Sequence, residues 1–77
     1  MSFTEEIGNA LAKDALAAAE RSGDESIIDE VGKALAASSQ TAEEAYLTAI
    51  RVFRAEARAR AMLEAFNAKH GHTPPQG

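Results

Sequence analysis

Apolar residues recur along this chain at helical spacing in three blocks, and the third block carries them on two opposite sides. In the first, Phe3, Ile7, Leu11 and Ala18 share one stripe, with Ala15 near its edge. Spacing of three to four residues marks an amphipathic helix, here from about Thr4 to Arg21. Ser2 and Glu5 form an S-x-x-E capping box, and Phe3 and Ile7 are spaced like a hydrophobic staple. Leu16 falls off the stripe, so the apolar arc is broad. Ser22-Gly23 ends the helix, because glycine tolerates the left-handed cap. In the second block, Ile27, Ile28, Val31 and Leu35 give a compact face for a helix from about Glu25 to Ala37, with Asp24 as its N-cap. Gly8 and Gly32 lie inside these helices at a cost in helix stability, so close backbone contact is expected at both.

The third block opens on a T-x-x-E capping box, Thr41 to Glu44, and meets no proline or glycine before Gly71. It predicts one helix from Ala42 to Lys69, roughly 40 Å long at 1.5 Å per residue. Tyr46, Ile50, Phe53, Ala57 and Ala61 fall on one side and are expected in the intrachain core. Val52, Ala59, Met62, Leu63 and Phe66 cluster on the other, mostly beyond the reach of the two shorter helices. Such a patch is too apolar to face water, so these five residues are expected to form an interface. Residues 1–69 thus read as a single all-α domain, two short helices packed on a long C-terminal helix. Residues 70–77 read as a flexible tail.

Composition strengthens the expectation of assembly. With 77 residues, no cysteine, no tryptophan and four other aromatics, the core is light, and small domains of this kind often gain stability by oligomerising. A helical homodimer is the simplest solution, with another helical protein as the other candidate partner. No apolar run approaches the length of a membrane span and no leader pattern is present, so a cytoplasmic location is expected and no membrane partner. The net charge of −4 conceals an asymmetry: residues 1–44 carry ten acids and three bases, residues 45–77 two acids and five bases. The two halves can attract each other within or between chains, and overall acidity disfavours non-specific nucleic-acid binding.

The basic residues concentrate on the third helix. Arg51, Arg54 and Arg58 share a face, where they can pair with acids such as Asp29 and Glu30 or bind phosphates. Arg51 and Arg58 are expected at the rim of the interface, tuning partner choice. Val31-Gly-Lys-Ala-Leu-Ala-Ala-Ser-Ser-Gln-Thr-Ala-Glu-Glu-Ala-Tyr46 resembles the helix-turn-helix of lac-repressor-type regulators in its Ser38-x-Gln40-Thr41 turn, Val31, Ala42 and Ala45. The resemblance implies a second helix entering the major groove, and gives a DNA-binding regulator using residues 31–46 as the alternative function. The chain departs from that pattern at Ala36, where glycine is usual, at Ala37, where a larger apolar residue is usual, and at Glu43 and Glu44, which would repel phosphates.

Catalytic parts are missing from the sequence. His70 and His72 have H-x-H spacing but no third ligand nearby, and Glu64 is followed three residues later by Asn67 rather than the histidine of a di-iron bundle. Asp14 falls beside Ile7 and Leu11, where a buried carboxylate would titrate abnormally but a structural role is expected. No glycine-rich phosphate loop and no Cys–His pair occurs. The sequence therefore predicts no enzyme, no cofactor, no metal and no small-molecule substrate. The leading expectation is a small interaction module, an adaptor or regulator working through its third helix.

Overall fold

The computed structural model describes residues 2–71 and contains three helices: α1 (Phe3–Ser22), α2 (Ser26–Ala36) and α3 (Gln40–His70). The fold is all-α, with no strand among the described residues. The expected capping box on α1 is present: the Ser2 hydroxyl accepts from the Glu5 amide at 3.1 Å, and Glu5 accepts from the Ser2 amide at 3.2 Å. Gly23 closes α1 in the left-handed region at φ 74°. The other two caps are shifted from their expected positions. Glu25 is the N-cap of α2 and makes no side-chain cap bond; Asp24 instead accepts from the Ser26 amide at 3.0 Å. Side-chain and backbone hydrogen bonds from Ser26 hold the Asp24 carboxyl below its ordinary pKa. Ser39 caps α3 by accepting from the Ala42 amide at 3.1 Å, which leaves Thr41 inside the first turn. Ser39, extended at φ −155° and ψ 106° directly before the helix, takes the role that T-x-x-E suggests for Thr41.

The core face of α1 differs from the stripe of large residues. Ser2 as N-cap puts Phe3 at the first helical position, after the cap rather than before it, so the staple geometry is lost and Phe3 is 76% exposed. The buried positions are Gly8, Ala12, Ala15 and Ala19, while Ile7 and Leu11 are half-buried at the edge. Small residues win the centre because α3 comes so close. A Cβ placed on Gly8 would stand 2.8 Å from the Ala45 carbonyl carbon and 2.9 Å from the Tyr46 nitrogen. Asp14 lies on the exposed side, so the neighbouring carboxylate of the apolar stripe is a surface group.

On α2, Ile28 is buried and Ile27, Val31 and Leu35 pack around it. Gly32 faces the Tyr46 ring rather than backbone: a Cβ there would meet Cε2 at 3.6 Å, an ordinary contact. The two glycines therefore predict opposite outcomes. Gly32→Ala should stabilise the chain by up to about 1 kcal/mol through helix propensity. Gly8→Ala should destabilise it by about 1–3 kcal/mol, since the backbone it meets cannot yield without separating α1 from α3. Urea denaturation of both variants checks this; equal shifts would contradict the close approach.

Tyr46 lies at the centre, fully buried, among Ala12, Ala15, Ala19, Ile28, Ala49 and Ile50. Its hydroxyl donates to the Ile28 carbonyl at 2.7 Å, so the polar atom that this ring carries into the core is satisfied. Burial raises the Tyr46 pKa above the usual 10.0, the Asp29 carboxylate adds to the rise, and Arg54 opposes it. The neutral phenol is thus favoured by folding. That contribution is complete below the unfolded-state value and is lost as pH rises through the folded one. Stability should fall above about pH 10, and Tyr46→Phe should flatten the fall in urea titrations against pH.

The helices run up, down and up. Gly8 meets α3 near its start, and Glu25, just beyond α1, pairs with Arg54 about two and a half turns further along α3 at 3.1 Å. Arg54 takes Glu25 rather than Asp29 or Glu30. Packing against α3 ends at this level. Ala57 and Ala61, expected in the intrachain core, are exposed because α1 and α2 do not extend that far. The overhang shows in the dimensions: the radius of gyration is 15.5 Å, against about 11–12 Å for a compact domain of this length.

Candidate functional site

Beyond Arg54, α3 projects from the three-helix body. From Ala55 to His70 every residue except Asn67 is exposed. Local chemistry favours helix in this half, which has no tertiary support from α1 or α2. Alanine, arginine, glutamate, methionine and leucine, all good helix formers, dominate it, and Arg60 pairs with Glu56 one turn earlier at 2.9 Å. Lys69 and His70 complement the negative end of the helix dipole, and Gly71, at φ 63°, caps it by donating to the Asn67 carbonyl. The helix therefore includes His70, which the sequence places in the tail. Residues 72–77, the rest of that expected tail, and His72 of the H-x-H pair lie outside the described residues.

The projecting half, together with the outer side of α3 at Val52 just before it, carries the apolar face expected from the sequence. Val52 is 59% exposed, Met62 74%, Leu63 60% and Phe66 57%, and Ala59 is exposed among them. Ala55 shares that side; its small side chain gives little hydrophobic signal, although its spacing does. The Phe66 ring rests against His70, with centroids 4.3 Å apart, and stays mostly exposed. Arg51 and Arg58 flank this face, exposed and outside the two ion pairs, Arg54–Glu25 and Arg60–Glu56, found among the described residues. Exposed pairs of that kind contribute little to stability.

The segment that resembles a helix-turn-helix forms a helical corner: α2 ends at Ala36 and α3 begins at Gln40. Its surroundings are acidic. Glu44 and Thr41 share an open cleft with Glu5 of α1, so a phosphate approaching the first turn of α3 meets carboxylates from both helices. No group of three or more metal-ligating residues occurs among the described residues, and none of their helices is long and apolar enough to cross a membrane. Comparison with protein-family models, with curated proteins and with solved structures gives no match to this chain.

Proposed function

We propose that this protein is a small interaction module, an adaptor or regulator, that works by docking the projecting half of α3 onto another helix. The supporting observation is the placement of Val52, Met62, Leu63 and Phe66, all more than half exposed, on the side and the far half of α3 that α1 and α2 leave uncovered. Burying large apolar side chains is worth about 1.5–3 kcal/mol each, so the face gains substantially from a partner. Met62, Leu63 and Phe66 anchor, Val52 and Ala59 permit close approach, and Arg51 and Arg58 steer association from the rim. The reading is non-catalytic and places the protein in the cytoplasm. The acidic first turn of α3 weighs against the DNA-binding alternative, which calls for duplex affinity that falls steeply with salt.

Native mass spectrometry of the tag-free protein isolated from its own cell tests the reading. The expected result is an assembly heavier than the 8.1 kDa chain, either a multiple of it or a mixed complex. A monomer at every concentration, with nothing bound, would contradict it.

A further inference from the structure

We propose that the occupant of this face is a second copy of the chain, aligned parallel and in register as a short two-stranded coiled coil. This rests on the docking role given to α3 above and adds the partner and its geometry. Val52, Ala55, Ala59, Met62, Phe66 and Lys69 follow one another at intervals of three, four, three, four and three. That is the a/d alternation of a coiled-coil seam, with Val52, Ala59 and Phe66 at a and Ala55, Met62 and Lys69 at d. All six are exposed. At about 100° per residue, the seam lies roughly opposite Tyr46, Ile50 and Phe53, the side that packs on α1 and α2. Two bodies can therefore sit outside the pair without obstructing it. Toward the N-terminus the same spacing reaches Ala45, which α1 already occupies through Gly8, so the free seam starts at Val52.

The flanking charges select the orientation. Arg51 and Arg58 fall at g, and Glu56 and Leu63 at e. In a parallel in-register pair, each g residue lies beside the e residue five positions later on the partner. Arg51 then meets Glu56 of the second copy, and symmetry repeats the pair on the other side. Arg58 lies along Leu63, covering it with its aliphatic stem. An antiparallel pair sets g beside g and e beside e, and Arg51 never meets Glu56. The groups are available: Arg60 holds only Oε2 of Glu56, and Arg51 is in neither ion pair of the described residues. Val52, β-branched at an a position, also suits a parallel two-stranded pair.

Disulfide trapping decides the arrangement, because the chain has no cysteine of its own. Val52→Cys and Lys69→Cys, at opposite ends of the seam, are each oxidised alone and then mixed. The expected result is a covalent dimer from each variant alone, suppressed by adding Phe66→Asp. Crosslinking only in the mixture would mean an antiparallel pair and overturn the proposal. Crosslinking unaffected by Phe66→Asp would mean random collision and overturn it too. Sedimentation equilibrium supplies a second reading. Arg51→Glu and Glu56→Arg should each weaken self-association about three- to tenfold, and the double variant should restore it; a double variant as weak as the singles would overturn the charge pairing. A wild-type chain that stays monomeric yet forms a mixed complex in its own cell would overturn the second copy as occupant while leaving the docking role of α3 standing. A monomer with no partner would remove both.

Discussion

Phe66→Asp is expected to abolish assembly at concentrations where the wild-type chain associates, with the helical circular dichroism signal largely kept. Two effects add. The substitution removes a large aromatic anchor, and central anchors of this kind commonly cost about 2 kcal/mol or more on truncation. It also forces a carboxylate into the apolar seam, where desolvation opposes the charge. Association should weaken at least about thirtyfold, as 1.4 kcal/mol is a factor of ten. Little is lost inside the chain itself, since Phe66 is 57% exposed and far from the Tyr46 cluster. Helicity must be followed over a concentration series, because a fold that depends on its partner loses stability on dilution. Unfolding of Phe66→Asp at every concentration would place Phe66 in an intrachain core and contradict the account.

The second large effect belongs to the core. Tyr46→Ala should leave the chain unfolded or nearly so, because emptying the site of a buried aromatic costs about 3–5 kcal/mol. A chain of this length has total stability of only about 4–12 kcal/mol at typical values per residue. Nothing nearby can fill the space cheaply: the surrounding positions of α1 are Ala12, Ala15 and Ala19, and Gly8 already brings the backbones into contact. Tyr46→Phe keeps the ring and loses the hydrogen bond to the Ile28 carbonyl, and should cost about 1 kcal/mol. Thermal and urea unfolding of the two variants separates the contribution of the ring from that of the hydroxyl. Near-equal losses would mean that the hydrogen bond, rather than the packing, holds the centre.

Much of this architecture is legible in the sequence where a single residue type decides the outcome. The Ser2–Glu5 capping box, Gly23 at the end of α1 and the uninterrupted run to Gly71 each act locally, and each gives the expected feature. The inward face of α1 is harder to read from the sequence because hydrophobic size points to Phe3, Ile7 and Leu11. Packing distance, a tertiary quantity, places Gly8, Ala12, Ala15 and Ala19 inside instead. The same limit applies at Ala57 and Ala61, whose helical phase is that of the core but whose level lies beyond the ends of α1 and α2. Capping of α3 turned on which of two nearby hydroxyl residues adopts the extended conformation, and spacing alone does not distinguish Ser39 from Thr41. The exposed face of Val52, Ala59, Met62, Leu63 and Phe66 is visible in the sequence as a surplus: one helix carries more apolar surface than two short neighbours can cover. Ala55 completes its three-four spacing without adding to that surplus, so only the interval reveals it.

On the proposed function, the far half of α3 finds its packing outside its own chain. Amide hydrogen exchange along α3 tests this most directly, comparing the wild-type protein with Phe66→Asp at equal concentration. A helical stretch without tertiary contacts opens more easily than a packed one, since most helical stability in proteins comes from packing an amphipathic face. The account predicts that residues 55–70 are protected in the assembled wild-type protein and exchange rapidly in Phe66→Asp, while the amides around Tyr46 stay protected in both. Equal protection of residues 55–70 in the two proteins would show that this half of α3 needs no partner and would contradict the account.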